Sequence, residues 1–298
     1  MNKLDKREVA ASGGIISIMA FVLGLFVYIA LETFYFKTNN VVEILAVIAM
    51  VLVITIIGLT DDLFGKKGGG LTRRIRILLL IFAAIPLMAI NAGQSEITLP
   101  LLGSMNLGLL YPLLLIPLGI VGASATYNFL AGYNGLEAGQ GIIILVSFAI
   151  ISFFTGSAFL AIACLCMVFS LIGFFVYNKY PSKVFPGNSL TLVLGALIAS
   201  ISILGNFERI AVFIFIPYII ETILKIRGKL VIQSFAKPTK NGLEMPRKEV
   251  YGLEHLAIKI LKNFKQNVSE NDVVYLIFAF QIAIIILAFI IFRQHIFI

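Results

Sequence analysis

Charged side chains are scarce in this sequence. Only 13% of its 298 residues are Asp, Glu, Lys or Arg, whereas 60% are hydrophobic. A soluble domain of this length could not bury so much apolar surface, so a water-soluble fold is excluded. The composition predicts an all-α, polytopic membrane protein.

Cysteine and histidine are also rare, with two of each. Cys164 and Cys166 lie two positions apart in one predicted helix, so they point to opposite faces and cannot pair with each other. We find no cluster with the spacing of a zinc site and no Ser, His and Asp arrangement typical of hydrolases. We also find no internal repeat, which disfavours a transporter.

Long apolar runs make up most of the chain. Runs of spanning length, about 17 to 25 residues, lie near 13–31, 42–60, 76–92, 107–124, 139–156, 158–177, 190–205, 209–226 and 273–292. They predict about nine transmembrane helices in a single membrane-embedded domain over 1–298. The first run is too long for a signal peptide and lacks a small-residue cleavage site.

The net charge of +8 is distributed as a topology signal. If the N-terminus and every second connection share one side, that side holds all of the 23 Lys and Arg except Lys37, Arg209 and Arg293. The positive-inside rule makes the basic side cytoplasmic and puts the C-terminus outside. The pattern therefore indicates a cell membrane protein in contact with the lipid bilayer, and no nucleic acid partner.

One polar stretch, 124–140, interrupts the apolar runs. Its glycines Gly132, Gly135 and Gly139 disfavour a continuous helix, since each costs about 1 kcal/mol against Ala in a helix interior. Non-helical backbone at membrane depth is tolerated only where protein buries it or where it lines a wet cavity. The stretch therefore predicts a polar binding loop at the mouth of a membrane pocket.

Residues 128–140, NFLAGYNGLEAGQ, resemble the nucleotide-sugar loop of the polyprenyl-phosphate N-acetylhexosamine-1-phosphate transferases (glycosyltransferase family 4). The resemblance is closest to the dolichyl-phosphate N-acetylglucosaminephosphotransferase branch. It implies that Asn128 is a Mg²⁺ ligand and that Gly132, Asn134 and Glu137 hold the uridine. One position departs from the family pattern, because Ala125 stands where the family has a further Asn.

Asp61 and Asp62 end the second apolar run. Two carboxylates at a helix C-terminus face the negative end of the helix dipole, so a cation or a metal should compensate them. The nearby cations are Lys66, Lys67, Arg73, Arg74 and Arg76. A solvated acidic helix end is the alternative. The resemblance matches the pair to the family's aspartates, which implies a place at the reacting lipid phosphate, as base or as electrostatic organisers.

Three further positions follow from the resemblance. Arg76 stands where the family usually has a lysine that contacts phosphate, although it could also be an interfacial anchor. Phe185 matches the Phe of a Phe-x-Gly-Asp motif and would pack on uracil. Asn188 replaces the magnesium-binding Asp of that motif, and its alternative role is to cap the helix that follows.

Residues 227–272 form the longest soluble stretch and carry many basic residues. Leu256, Ile260, Leu261 and Phe264 share one face, which predicts an amphipathic helix at the membrane interface. In the family this region reads the sugar and pyrophosphate, and Lys237 is the nearest equivalent here. His255 is interpreted as a surface histidine. Glu221 and Lys225 are interpreted as an (i, i+4) ion pair.

The resulting hypothesis is an enzyme that transfers N-acetylglucosamine 1-phosphate from UDP-N-acetylglucosamine to a dolichyl-type polyprenyl phosphate, with Mg²⁺ as cofactor and UMP as leaving group. Two alternatives are a non-catalytic relative that binds lipid or nucleotide sugar, and a nucleotide-sugar transporter. A homodimer is a possible assembly. The segment 8–14 resembles the part of the family that follows an additional first helix; either that helix is dispensable here or the natural start lies upstream.

Overall fold

The computed structural model of the protein describes residues 9–37, 40–65, 70–99, 103–232, 234–239 and 242–297. Within these ranges the chain is a helical bundle with two short hairpins. The helices are α1 (Gly14–Leu31), α2 (Val41–Gly65), α3 (Arg73–Ala83), α4 (Ile85–Ala89), α5 (Ile116–Phe129), α6 (Leu136–Phe154), α7 (Ala158–Asn178), α8 (Gly187–Leu204), α9 (Glu208–Ile214), α10 (Ile216–Arg227), α11 (Leu253–Leu261), α12 (Glu270–Ile291) and α13 (Arg293–Ile296). Single π-helical segments, Glu32–Phe36 and Tyr111–Leu115, follow α1 and precede α5.

The strands form two antiparallel hairpins. β1 (Glu96–Leu99) pairs with β2 (Gly103–Asn106), and β3 (Lys237–Thr239) pairs with β4 (Gly242–Glu244). The first hairpin lies in the connection between the apolar runs 76–92 and 107–124, and the second lies in the soluble stretch 227–272. Neither changes the class of the fold.

The prediction of an all-α, polytopic membrane protein is confirmed. In the described part of the chain, seven helical segments are long and apolar enough to span a membrane. The other two predicted spans are broken helices, α3–α4 and α9–α10. Each break directly precedes an Ile-Pro pair, at Pro86 and Pro217, because proline removes a backbone donor and clashes with the preceding turn.

Helix α8 forms the centre of the bundle. Every residue from 189 to 203 is buried, and α2 and α5 pack along it. Glycines allow these close approaches. A Cβ added to Gly58 of α2 would lie 2.4 Å from Ser189 Cα, and one added to Gly195 would lie 2.3 Å from the carbonyl oxygen of Ala123 on α5. Small residues at such crossings are typical of membrane helix packing.

Two expectations from the sequence change in the 227–272 region. The prediction that His255 is a surface residue is wrong, because it is completely buried on α11. Helix α11 is also short, and its buried residues are Leu253, Glu254, His255, Ala257 and Ile258. The predicted apolar face lies on the other side, where Ile260 and Phe264 are exposed. Its contact with the membrane interface stays a prediction.

Some expectations from the sequence concern residues outside the described ranges. Lys66 and Lys67, named as possible partners of the aspartates, lie outside the described residues, as do residues 1–8.

Candidate active site

The predicted polar positions gather at one end of the bundle around a cavity of about 740 Å³. At this end α2 and α5 finish and α6 and α8 begin, so polar side chains from distant parts of the chain meet. Six of the ten predicted site residues line the cavity, namely Asp62, Asn128, Gly132, Glu137, Phe185 and Asn188. Asp61, Arg76, Asn134 and Lys237 are not among its lining residues.

Asp62 caps helix α8 from another helix. Its Oδ1 accepts a hydrogen bond from the backbone N–H of Asn188 at 2.8 Å, and its Oδ2 accepts from the N–H of Ser189 at 3.2 Å. These donors belong to the first turn of α8, where free N–H groups and the positive end of the helix dipole favour a carboxylate. These hydrogen bonds offset the unfavourable interaction of the Asp62 carboxylate with the negative end of the α2 dipole.

The alternative of Asn188 as the helix cap is wrong. The N-cap position is Pro186, which makes no side-chain cap, and Asn188 already lies inside α8. Its side chain is used elsewhere: Nδ2 donates to Asp61 Oδ2 at 2.7 Å, and Oδ1 accepts from Asn128 Nδ2 at 3.1 Å. A hydrogen-bonded chain therefore runs from Asn128 through Asn188 to Asp61.

Asp61 has a cationic partner, as its position at the C-terminus of α2 predicts. Arg76 Nη2 donates to Asp61 Oδ2 at 2.6 Å, while Oδ1 accepts from the backbone N–H of Leu71 at 3.0 Å. Asp61 is only 5% exposed, so the alternative of a solvated acidic helix end does not apply to it. Removing one partner of a buried pair costs about 3–5 kcal/mol, and less here because the Arg76 side chain is 29% exposed.

Two cations that the sequence did not single out for binding line the cavity, Arg73 and Lys225. Arg73 donates to the carbonyl oxygen of Leu230 at 2.6 Å. Lys225 was interpreted only as the partner of Glu221, and that pair is present at 3.4 Å. The end of α10 brings Lys225 to the cavity, which its spacing from Glu221 could not reveal. Lys237, by contrast, is exposed at the start of β3.

The chain is unwound between α5 and α6, as predicted for Gly132 and Gly135, but the same prediction is wrong for Gly139, which lies inside α6. Gly132 and Gly135 have φ of +118° and +78°, a left-handed region that favours glycine. The N–H of Gly132 donates to Glu137 Oε1 at 2.8 Å, which ties the loop to the first turn of α6. A Cβ on Gly132 would lie 2.0 Å from Phe235 Cε1. Phe235 also lines the cavity, and no sequence signal had identified it.

Asn134 holds this loop in place from behind. Its Oδ1 accepts from Ser182 Oγ at 2.6 Å, and its backbone N–H donates to Glu270 Oε1 at 2.5 Å. The side chain is buried, and its Nδ2 has no partner within the described residues. These contacts connect the loop to the segment before α8 and to α12.

Phe185 is positioned by the N-terminal segment. Its N–H donates to the carbonyl oxygen of Ala10 at 2.8 Å, and its own carbonyl oxygen accepts from the N–H of Gly13 at 2.9 Å. Val9 and Ala11 line the cavity beside it. The start of the chain therefore contributes to the site.

The side chains present fit a hard cation. Among the described residues no three His, Cys, Asp or Glu side chains gather as a metal site, but the hydrogen-bonded chain brings the carboxamides of Asn128 and Asn188 next to Asp61, with Asp62 at the backbone of Asn188. Carboxylate and carboxamide oxygens are the protein ligands that Mg²⁺ takes. The donor chemistry therefore agrees with the magnesium that the resemblance implies.

Comparison with known families gives one match over more than half of the chain. A family model described as glycosyl transferase family 4 matches residues 44–206. That stretch runs from α2 to the end of α8 and includes the aspartates, the glycine-rich loop and Asn188.

Curated relatives agree with the family match. A protein of Saccharolobus solfataricus, provisionally named UDP-N-acetylglucosamine–dolichyl-phosphate N-acetylglucosaminephosphotransferase, is 36% identical over 87% of this chain and 78% of its own length. A protein of Sulfolobus acidocaldarius with the same provisional name is 32% identical over 97% and 85%. A phospho-N-acetylmuramoyl-pentapeptide-transferase of Halalkalibacterium halodurans is 31% identical over 76% and 73%.

Proposed function

The chain belongs to glycosyl transferase family 4 and is a multi-pass membrane sugar-phosphate transferase, and we propose that it transfers N-acetylglucosamine 1-phosphate from UDP-N-acetylglucosamine to a dolichyl-type polyprenyl phosphate. An oxygen of the lipid phosphate attacks the β-phosphorus of the nucleotide sugar. The bond from that phosphorus to the oxygen bridging the two phosphates breaks, and UMP leaves with the electron pair. The product is a lipid diphosphate that carries the sugar.

The observation that carries this proposal is the arrangement of charge around the cavity. Asp62, Asn128 and Asn188 lie on its lining together with the cations Arg73 and Lys225. Phosphoryl transfer needs positioning and charge neutralisation more than covalent help from the protein. This cavity lies at the end of a membrane bundle and brings cations together with oxygen ligands suitable for a metal. It can therefore position a diphosphate and a lipid phosphate and neutralise their charge.

Mg²⁺ is the proposed cofactor. Asn128 and Asn188 would hold it through their carboxamide oxygens, with Asp61 and Asp62 beside them. When bound, the ion would neutralise charge on the diphosphate. The two carboxamides bring no charge of their own, and the two carboxylates already accept hydrogen bonds from Arg76 and from the first turn of α8. Substrate phosphates would therefore supply much of the attraction for the ion.

Asp61 and Asp62 would organise the site rather than serve as obligatory bases. A phosphate monoester is already largely ionised near neutral pH, since its second pKa is about 6. Arg76 remains a proposed phosphate contact, because its Nε has no partner within the described residues. Arg73 and Lys225 join it as cations for the diphosphate.

The nucleoside would bind on the glycine-rich side of the cavity. The family resemblance assigns Gly132, Asn134 and Glu137 to the uridine and Phe185 to the uracil. In this chain Asn134 would act indirectly, because its hydrogen bonds with Ser182 and Glu270 fix the position of the loop. Lys237 stays a prediction for the sugar diphosphate and would have to move toward the cavity to contact it.

The proposed orientation puts the cavity on the cytoplasmic side. The candidate site lies at the same end as the basic connections, including the 227–272 stretch, which the positive-inside rule assigns to the cytoplasm. A second copy of the chain remains a predicted partner.

The test uses purified protein in lipid nanodiscs with UDP-N-acetylglucosamine labelled in the sugar, dolichyl phosphate and Mg²⁺. We expect label in the lipid fraction and one UMP for each lipid product, both lost with EDTA. Nucleotide binding without labelled lipid would instead identify a non-catalytic relative. Movement of intact nucleotide sugar across proteoliposomes without UMP release would identify a transporter.

A further inference from the structure

A group of polar and charged side chains lies behind the cavity wall, away from the aspartates and carboxamides. We call it the lysine cluster, and it consists of Glu221, Lys225, Ser234 and Glu254. Lys225 is the member that lines the cavity. Glu221 and Glu254 are completely buried, although buried carboxyl groups are costly unless they are paired or neutral.

Lys225 and Glu221 form the charged pair of this cluster. Lys225 Nζ donates to Ser234 Oγ at 2.7 Å and lies 3.4 Å from Glu221 Oε1. The other oxygen, Glu221 Oε2, accepts from the backbone N–H of Leu253 at 2.5 Å. A cation near one oxygen and a donor on the other favour the charged form of Glu221, whereas its complete burial beside Glu254 opposes it.

Glu254 has weaker support, from the nearby Lys225 and Ser234. Within the described residues, neither of its carboxyl oxygens meets a donor in hydrogen-bond geometry. Burial raises the pKa of Glu254, and the charge of Lys225 opposes that rise only in part. The cluster therefore offers one cation, Lys225, to two completely buried carboxyl groups.

Among the described residues, the groups that face this cluster include no cation besides Lys225. His255 is buried on α11, and burial together with Lys225 lowers its pKa, so it is neutral near pH 7. Burial raises the pKa of Tyr133 in the glycine-rich loop, which keeps its hydroxyl protonated. Glu137 of α6 and Glu270 of α12 lie close enough to interact electrostatically with Tyr133 or Glu254. Any anion that approaches Lys225 therefore enters a region already rich in carboxyl groups.

We propose that binding of a nucleoside diphosphate at Lys225 is coupled to the uptake of one proton by the buried carboxyl pair of Glu221 and Glu254. This inference rests on the proposed function, which places a diphosphate in the cavity. Phosphate oxygens would take over the ammonium of Lys225, and Glu221 would then face an added negative charge without its cation. Like charges favour the protonated carboxyl group, so a proton enters from solvent when nucleotide binds and returns when nucleotide leaves.

The linkage has a defined sign. If binding takes up one proton, nucleotide affinity falls as pH rises, by up to about tenfold per pH unit. The effect is separable from titration of the ligand, because a terminal phosphate with a second pKa of about 6 is fully ionised near pH 8.

The experiment is titration calorimetry of the full-length protein in nanodiscs with UDP and Mg²⁺ near pH 8, in two buffers of different ionisation enthalpy. The difference in observed enthalpy gives the number of protons exchanged. We expect between about half and one proton taken up per UDP. UDP binding without proton exchange would overturn the inference and leave the proposed function intact, whereas failure to bind UDP would overturn both.

Two variants distinguish this linkage from a general loss of charge. Lys225→Met removes the cation that joins the cavity to the carboxyl pair, and we expect weaker UDP binding with no proton uptake. Arg73→Gln removes the other lining cation, whose guanidinium donates to the carbonyl oxygen of Leu230 rather than to a carboxylate. It should weaken UDP binding while proton uptake persists. Equal proton uptake in Lys225→Met and the unaltered protein would contradict the linkage.

Discussion

Asp61 and Asp62 are neighbours in the chain, but their carboxylates have different partners. Asp61 is buried against Arg76 and the side chain of Asn188, whereas Asp62 accepts from the backbone of α8 and from Ser189 Oγ at 3.2 Å. One carboxylate therefore stabilises the side-chain network, and the other joins two helices. A loss of activity after substitution of either residue has to be separated from a loss of structure.

Substitution of Asp62 by Asn provides that separation. Asn keeps one acceptor oxygen for the first turn of α8 and loses the other, because both oxygens of Asp62 accept from N–H groups. Asp62→Asn should therefore lower stability by about 1–3 kcal/mol. If the charge of Asp62 serves the lipid phosphate, transfer should fall by at least about a hundredfold, or about 2.7 kcal/mol. Activity and melting temperature measured on the same preparation decide. Full activity in Asp62→Asn would reduce Asp62 to a helix cap.

Asn188 is one of the positions at which the sequence departs from its family, and its neighbours predict the effect of restoring the acid. Asn188→Asp replaces a donor to Asp61 by a second carboxylate at a contact that is now 2.7 Å. The metal-free protein should be destabilised, because two carboxylates in contact repel each other. Mg²⁺ should then stabilise the variant more than the unaltered protein.

A magnesium titration of the melting temperature measures this difference without relying on turnover. Half-maximal stabilisation of Asn188→Asp should occur at a lower Mg²⁺ concentration than in the unaltered protein. If the two curves superimpose, Asn188 is not near the metal.

Among the helices, the site depends on the crossing of α2 and α8. Gly58 lies one turn before the aspartates, and the missing side chain lets α2 contact the backbone of Ser189. This contact brings Asp62 within hydrogen-bond distance of the first turn of α8. The fold therefore positions the carboxylate through a glycine that does not line the cavity.

Gly58→Ala tests that dependence. Its Cβ would lie 2.4 Å from Ser189 Cα and 2.6 Å from Ser189 N, so the helices must separate, at a cost of about 1–3 kcal/mol. We expect a lower melting temperature and reduced transfer. Gly173→Ala on α7 is the matched control, because nothing lies within 4 Å of its added Cβ. Equal stability of the two variants would contradict the proposed role of Gly58.

The helices could be predicted from the sequence because hydrophobic length is a local property. Each of the nine apolar runs corresponds to a helix or a broken helix, and the breaks at Pro86 and Pro217 are local effects as well. The glycine-rich segment was also recognisable, since Gly132 and Gly135 carry their conformational signal themselves.

Contacts between distant residues could not be predicted from the sequence. The capping of α8 by Asp62 joins positions 126 residues apart, and no local pattern marks Asp62 as a cap. Burial of His255 and the approach of Lys225 to the cavity depend on how α10 and α11 pack. The resemblance supplied candidate residues, but the partners of those residues required the fold.

The polar site occupies one end of a helical bundle whose sides are apolar. Exposed side chains such as Leu23, Phe169 and Ile286 lie on α1, α7 and α12 and suit contact with lipid. The basic connections and the cavity are expected on the cytoplasmic side, where the nucleotide sugar would enter from water.

Cysteine labelling tests this orientation. Lys248→Cys and Gln294→Cys place thiols at exposed positions of the 227–272 stretch and the C-terminal end. Native Cys164 is buried and Cys166 half-buried within α7, which keeps background labelling low. In intact cells an impermeant reagent should label position 294 and not position 248. The reverse pattern would invert the topology.

In the proposed reaction the lipid phosphate attacks the β-phosphorus of the nucleotide sugar. UDP-N-acetylglucosamine labelled with ³²P at the β-position tests it most directly, because attack at this phosphorus and attack at the sugar carbon leave the label in different products. We predict that the purified protein, with dolichyl phosphate and Mg²⁺, moves the ³²P into the lipid fraction and releases unlabelled UMP. Label found in released UDP, with the lipid fraction unlabelled, would contradict the proposed reaction.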